Sequence, residues 1–318
     1  MDPVGADRTH ILVLNYNGRG LMAECLPSIV EAAARSPRPC SVGVIDNDST
    51  DDSLAYLRAQ WPKLRVFREP NRGLASFNSV LEKLDEPVVL LLNNDVKLEP
   101  DAVEPLVRVF DDRADAFFSA PCCWDFDGSL YEGMRTRVRS RFGLVAGLCR
   151  VPGHERTIGF ADLTAAAGPI LAVDRRKFLE LGGYDPLYFP GRIEDLDLGF
   201  RAWMAGMRGY YVPESIAFHR GFGSFAPAFG ILGCDRLALR NTLLFSWKNL
   251  AGARLSRHCL WLPIRLLHAL FLGRVGAVSA MLSALFHLRS ALTRRRLQGV
   301  GIGDWTERQE AFFRRFEW

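Results

Sequence analysis

Apolar residues in this chain come in short runs that stop on polar turns. One run, Val88-Val89-Leu90-Leu91-Leu92, is followed directly by Asn93-Asn94-Asp95. Five apolar residues in a row predict a strand buried on both faces, as in a parallel sheet under helices. The same pattern recurs upstream. His10 to Asn15 predicts a first buried strand that breaks at Tyr16-Asn17-Gly18. Leu21, Cys25, Leu26, Ile29 and Val30 recur at helical spacing, so Leu21 to Ala34 reads as a helix. Val42 to Ile45 is a second strand. It ends in Asp46-Asn47-Asp48-Ser49-Thr50-Asp51, which is both a turn and a helix start. Leu54, Leu57 and Trp61 mark that helix, and Leu64 to Phe67 a third strand. Asn71-Arg72-Gly73 is a loop before a helix over Leu74 to Leu84. Strands alternating with helices in this way predict an α/β domain with a doubly wound, mostly parallel sheet.

Beyond Asp95 the pattern is looser. A helix is expected over Asp101 to Phe110 and a strand over Ala116 to Ala120. The Asp127-Gly128 turn suits a hairpin. Residues 134–160 are rich in Arg and Gly with weak periodicity and read as a loop. Ala165 to Val173 is small and apolar. Arg175 to Leu181 is a short helix stopped by Gly182-Gly183. After the aromatic loop Tyr188 to Gly191, a helix opens on Glu194-Asp195-Leu196-Asp197 and runs to Gly206. Two short strands, Tyr210 to Val212 and Ser215 to His219, follow.

Charge divides the chain. From Arg236 to Gly303 there are eleven Lys or Arg and no Asp or Glu, so with a net charge of +4 the remainder carries −7. A basic, apolar segment ending in Arg294-Arg295-Arg296 suggests an anionic membrane surface as partner. Arg265 and Arg274 interrupt it, so no stretch reaches the ~20 apolar residues of a spanning helix. Packing on the catalytic domain or on a second subunit, as a homo-oligomer, is the other reading of these helices. No basic motif interleaved with aromatics points to nucleic acid. The seven cysteines are scattered, with Cys122 and Cys123 adjacent and no zinc-type spacing. Met1 to His10 has no apolar leader pattern, and a reducing cytosol is expected.

Asn15-Tyr16-Asn17-Gly18-Arg19-Gly20 fails the dinucleotide-binding glycine spacing, and no P-loop is present. Asp95 remains, delivered to the carboxyl end of a central strand, where open α/β sheets bind ligands. A hard carboxylate there suits a Mg²⁺ or Mn²⁺ ion that takes other ligands from a diphosphate. It equally suits a cap on the next turn. The acidic cluster at 194–197 is also what a helix dipole favours. His219 taken alone is an ordinary histidine.

Together these segments resemble glycosyltransferase family 2, inverting enzymes of the GT-A (nucleotide-diphospho-sugar transferase) fold, and within it the bacterial rhamnosyltransferase type. The matching pieces are Val13 to Asn17, Val44 to Asp51, Asn71 to Ala75, Leu92 to Val96, Gly182 to Asp185, Glu194 to Leu198, and Tyr211 to Glu214 with His219. The resemblance implies that Asn15, Tyr16 and Asp46 hold the base and ribose of the donor. Asn71, Arg72 and Gly73 approach the nucleotide, with Asn78 on the helix behind. Asn93 stands at the first acid of the D-x-D motif and Asp95 at its last, the metal ligand. Asp195 matches the general base and His219 a further metal ligand. Ser76-Phe77 stands where many relatives have paired glycines, and the loop before Glu194 is slightly longer than usual, which bears on Asp195 against Asp197 as the base.

The implied protein has a catalytic domain over 1–235, with a nucleotide-sugar half at 1–96 and an acceptor half at 97–235. A basic helical region follows at 236–318. It transfers a sugar, such as rhamnose, from a dTDP-, UDP- or GDP-linked donor to a glycan or lipid-linked acceptor in cell-envelope polysaccharide synthesis. It depends on Mg²⁺ or Mn²⁺ and sits peripherally on the inner face of the cell membrane. A sugar nucleotidyltransferase and a non-catalytic binding or scaffold subunit are the alternatives.

Overall fold

A computed structural model describes residues 7–151, 153, 162–221 and 225–318. The first half follows the alternation of the sequence. Strands β1 (Thr9–Asn15), β2 (Cys40–Asp46), β3 (Arg65–Arg68) and β4 (Val88–Asn93) are all parallel, side by side in the order β3-β2-β1-β4. Helices α1 (Arg19–Arg35), α2 (Ser53–Gln60) and α3 (Ser76–Leu81) connect them. Central β4 is buried from Val88 to Leu92, as its unbroken apolar run requires.

The second half adds β5 (Val96–Leu98), α4 (Val103–Asp112), β6 (Ala116–Trp124), β7 (Tyr131–Gly133), β8 (Arg137–Arg141), β9 (Leu144–Leu148), β10 (Asp162–Leu163), β11 (Ile170–Asp174), α5 (Arg175–Glu180), α6 (Glu194–Met204) and β12 (Arg208–His219). The main sheet runs β10-β12-β6-β11-β4-β1-β2-β3, with β5 on β12 and β7 on β6. Strand β11 is antiparallel to both β4 and β6, so the sheet is parallel in its first half and mixed in its second. This is the GT-A arrangement.

Two local expectations change. The segment read as a loop over 134–160 contains the β8–β9 hairpin. In β8, Val138 is buried between Arg137 and Arg139, which are not, an alternation too short to register as periodicity. Residues 152 and 154–161 of that segment lie outside the described residues. The two short strands expected over 210–219 are one strand, β12, whose register shifts between Val212 and Ile216, around Pro213.

The C-terminal helices are α7 (Phe225–Asn249, broken at Gly230), α8 (Gly252–Phe271), α9 (Val275–Phe286), α10 (Leu288–Leu297) and α11 (Trp305–Phe316). They pack on the α/β part of the chain. A second core joins Leu196, Phe200 and Met204 of α6 to Leu243, Leu244 and Phe245 of α7, Met281 and Ala284 of α9, and Phe312, Phe313 and Phe316 of α11. Phe200 lies edge-on to Phe245 and Phe312 at ring-centroid distances of 5.5 and 5.0 Å. Among the described residues no single helix is long and apolar enough to cross a membrane.

Candidate active site

The carboxyl ends of β1, β2 and β4 bring three loops together. Asn15, Asp46 and Asp95 are all buried there. The Asn15 carbonyl side-chain oxygen accepts from Asn94 Nδ2 at 2.8 Å, and its amide donates to Ser49 Oγ at 3.3 Å. Gly18 makes this possible: a Cβ at that position would lie 2.0 Å from Asn94 Nδ2. Asn15 therefore ties the β1 turn to the β2 and β4 turns, and Tyr16 beside it is exposed. Both carboxylate oxygens of Asp46 are buried without a hydrogen-bond partner among the described residues. A buried acceptor pair of this kind is costly unless something donates to it.

The Asn71-Arg72-Gly73 loop is held by Asn47. Its Nδ2 donates to Asn71 Oδ1 at 3.1 Å, and its Oδ1 accepts from Ser76 Oγ at 2.5 Å. Arg72 is exposed at the tip. Gly73, at φ 58°, lies against Pro190: an added Cβ would be 3.1 Å from the Pro190 carbonyl oxygen. This loop thus meets the one that leads into α6. Asn78 faces the same junction. Its amide donates to the Tyr184 carbonyl at 2.8 Å, and its Oδ1 accepts from the Tyr184 N–H at 2.9 Å. Both ends of its side chain are engaged in clamping α3 to the Gly183-Tyr184 turn.

Asn93 is partly exposed at the end of β4. Asp95 lies just beyond, and β5 then pairs with β12 so that His219 stands opposite Val96. That register sets His219 Nε2 3.4 Å from Asp95 Oδ2. On the other side of the ring, His219 Nδ1 is 3.8 Å from Glu132 Oε2, and Glu132 pairs with Arg150. Burial alone would favour the neutral imidazole. The two carboxylates outweigh it and raise His219 to about 9. Glu132 and Arg150 had no sequence signal beyond the Asp127-Gly128 turn that folds β7 back onto β6.

Among the described residues no three His, Cys, Asp or Glu side chains converge on one point. Asp95 and Glu132 lie on opposite nitrogens of His219 instead. The residues still fit a divalent ion that takes other ligands from a donor. Asp95 Oδ1 is buried and unpartnered, and adjacent ligands of an octahedral ion stand about 3 Å apart, close to the Asp95–His219 separation. Glu132 lies behind the imidazole at 3.8 Å, a charge on the side where a metal-binding histidine usually has its second partner.

The acidic cluster opens α6 after Arg192 and Ile193, both at positive φ. Asp195 is partly exposed, and its Oδ1 accepts from the Tyr184 hydroxyl at 3.4 Å. Burial, with the adjacent Glu194 charge, pushes the Asp195 carboxyl well above the usual range, and burial raises Glu194 to about 7. Asp197 is different. It is fully buried and receives Lys248 Nζ at 2.9 Å, Arg201 Nε at 2.7 Å, Tyr188 OH at 2.7 Å and Asn249 Nδ2 at 2.8 Å. Burial would raise its carboxyl, but the Lys248 and Arg201 charges hold it well below the usual range. Asp197 is held as an anion by these four donors, whereas Asp195 accepts only a longer bond from the Tyr184 hydroxyl among the described residues.

Helix α7 completes this region; a helix packed here is one of the readings of the C-terminal segment, but no motif marks Asn241 or Lys248. Asn241 Nδ2 lies 2.8, 2.7 and 2.9 Å from the carbonyls of Tyr188, Gly191 and Arg192. Lys248 also bridges to Asp185 at 2.6 Å, and Arg294 of α10 reaches the same carboxylate at 2.8 Å. Of the three terminal arginines expected to face lipid, Arg294 is thus paired inside and Arg295 donates to the Trp247 and Leu250 carbonyls. Arg296 is exposed.

Residues 10–152 match glycosyl transferase family 2. An N-acetylglucosaminyl-diphospho-decaprenol L-rhamnosyltransferase of Mycobacterium tuberculosis is 28% identical over 211 residues, covering 57% of this chain and 67% of that protein. Among solved structures, GalNAc-T7 with UDP, GalNAc and Mn²⁺ is similar with a TM-score of 0.56 and 21% identity. The match covers 77% of this chain and 48% of that one. A mannosyltransferase of Pyrobaculum calidifontis in complex with GDP-Man and Mn²⁺ gives a TM-score of 0.52 and 18% identity, over 98% and 86% of the two chains.

Proposed function

We propose that this chain, a glycosyltransferase whose residues 10–152 form a family 2 domain, transfers a sugar with inversion from a nucleotide-diphosphate donor to a hydroxyl of a lipid-linked glycan. The observation that carries the reading is the pairing of Asp95 with His219 at the strand ends, in a fold that also sets a partly exposed Asp195 at the start of α6. Tyr16 and the unpartnered Asp46 carboxylate serve the base and ribose of the donor: an exposed ring stacks, and a buried acceptor pair takes N–H or O–H groups. Arg72 offers its guanidinium to the diphosphate. Asn15, Asn71, Gly73 and Asn78 act by holding these loops in place.

Asp95 and His219 would hold a divalent cation. When bound, such an ion neutralises charge on the departing diphosphate. Asp195 accepts the proton of the acceptor hydroxyl as its oxygen attacks the anomeric carbon, and one displacement inverts the configuration. Tyr184 holds one oxygen of that carboxylate in place. The rhamnosyltransferase relative supports rhamnose as the sugar and an N-acetylglucosaminyl-diphospho-polyprenol as the acceptor. Among the described residues no disulfide joins the cysteines, which agrees with a place on the cytoplasmic face of the membrane in cell-envelope polysaccharide synthesis.

The test is release of nucleoside diphosphate from dTDP-, UDP- and GDP-sugars, dTDP-rhamnose among them, with a lipid-diphosphate acceptor and Mn²⁺. Turnover of one donor is expected, lost in Asp95→Ala and in excess chelator. Full activity in chelator would refute the metal reading, and no turnover of any donor would refute the whole.

A further inference from the structure

The C-terminal helices cover the catalytic domain with one side only. In α8, His258 and Ala269 are buried, His258 Nδ1 sits 2.6 Å from the Gly143 carbonyl, and Arg265 donates to the Phe142 carbonyl at 2.9 Å. The opposite side carries Leu260, Ile264, Leu267 and Phe271, at steps of four, three and four residues that align along one helical face. All four are exposed, and Phe271 is 88% so. After a turn at Gly273, α9 repeats the design. Ala280, Met281 and Ala284 face inward, while Val275, Leu282 and Phe286, at steps of seven and four, face out. Phe286 is also 88% exposed.

Folded monomers rarely leave so much contiguous apolar surface bare without a partner. Charge identifies the partner. The exposed cations Arg257, Arg274 and Arg289 flank these segments in the chain, and no Asp or Glu occurs between Arg236 and Gly303. A second copy docked face to face would set these arginines against their own kind. A surface of phosphodiester headgroups over acyl chains complements both features at once.

We propose that the α8–α9 hairpin is the surface by which this protein lies on an anionic phospholipid bilayer. Phe271 and Phe286 anchor it below the headgroups, and Arg257 and Arg274 pair with the phosphates. The inference deepens the reading above, which requires an acceptor held in a bilayer. It differs from an attachment through Arg294 to Arg296, since two of those three are spent inside the protein.

Flotation of the full chain with vesicles tests it, using phosphatidylcholine alone and an equal mixture with phosphatidylglycerol. Binding to the mixed vesicles is expected, reduced in high salt and weak on phosphatidylcholine alone. The double variant Phe271→Ser/Phe286→Ser should bind about a hundredfold more weakly, at about tenfold per anchor. It should retain turnover on a short-chain soluble acceptor. Arg257→Gln/Arg274→Gln should flatten the dependence on anionic content. A wild-type chain that stays in the soluble fraction on both vesicles would overturn the proposal. So would a dimer, seen by size exclusion, that Phe271→Ser/Phe286→Ser dissociates while vesicles bind neither form. Loss of donor turnover with vesicle binding intact would instead refute the catalytic reading and leave the docking surface standing.

Discussion

Asp195 and Asp197 lie two residues apart on one helical turn, and their surroundings give them opposite tasks. Asp195→Asn keeps the shape and the Tyr184 contact but removes the proton acceptor. Turnover should fall by about 10²-fold or more, with donor affinity and melting temperature nearly unchanged. Asp197→Asn should do the reverse. It leaves Arg201 buried without its anion and Lys248 with Asp185 alone, a loss of about 3–5 kcal/mol, seen as a fall in Tm on the order of 10 °C. A stable, inactive Asp197→Asn protein beside an active Asp195→Asn protein would reverse the assignment. Proton linkage separates the two further. Asp197 is held low, so its contribution to stability is present above the unfolded-state pKa and lost as pH falls through the depressed one. Asp195 and Glu194 are raised, so their contribution falls as pH rises through the raised values, to about 7 for Glu194. The base works ionised, so kcat/KM should rise with pH along a limb above the ordinary carboxylate range. Glu194→Gln removes the like charge and should move that limb to lower pH. A pH profile unchanged by Glu194→Gln would count against Asp195 as the base.

Single elements were legible where their chemistry is local. A buried apolar run that stops on Asn93-Asn94-Asp95 must surface at a strand end, and the four parallel strands of the first half follow from period alone. The pairing of Asp95 with His219 was legible only as a resemblance, because it depends on the antiparallel register of β5 against β12, which is 120 residues away in the chain and bent around Pro213. Glu132 was invisible for the same reason: a short strand, β7, carries it to His219 through a turn that any surface hairpin could have. Asn78 is placed by the resemblance on the helix behind the nucleotide loop, and both ends of its side chain meet Tyr184, a partner 106 residues away that nothing in α3 encodes. These elements give a third prediction. Removing Glu132 by Glu132→Ala should weaken Mn²⁺ activation of turnover by about 10–100-fold without changing saturated turnover as much. His219→Ala should weaken it at least as far. Mn²⁺ titrations of activity at saturating donor measure both, and titrations that coincide with wild type would remove His219 from the metal site.

At the scale of the molecule, the helices beyond residue 235 pack on the acid helix and share its buried charges. Composition set them apart because they hold eleven basic residues and no acid, and the fold shows where much of that charge goes. Lys248 is fully buried between Asp185 and Asp197, Arg294 closes on Asp185, and Arg254 pairs with Glu310 and Glu317 of α11 and beyond. The anions these cations answer are Asp185 before the aromatic loop, Asp197 on the acid helix, and Glu310 and Glu317 on α11 and just beyond it, all outside the basic segment. A chain ended at 235 would strip Asp185 of both cations and Asp197 of one. It would also uncover Leu196, Phe200 and Met204 on α6, at about 1.5–3 kcal/mol each. Those apolar losses alone sum to about 4–9 kcal/mol, against a total stability of about 5–15 kcal/mol for a typical domain. We therefore expect residues 1–235 to show no cooperative thermal transition and no thermal shift with donor and Mn²⁺. Lys248→Ala in the full chain should lower stability by about 3–5 kcal/mol, while Arg294→Gln, at a partly exposed site, should cost less. A truncated chain that melts cooperatively and binds donor would show that α6 holds its shape unaided. If it does not, α7 and α11, which supply Lys248, Asn249, Phe245 and Phe312 to the acid helix, are what hold Asp195 and Asp197 in place.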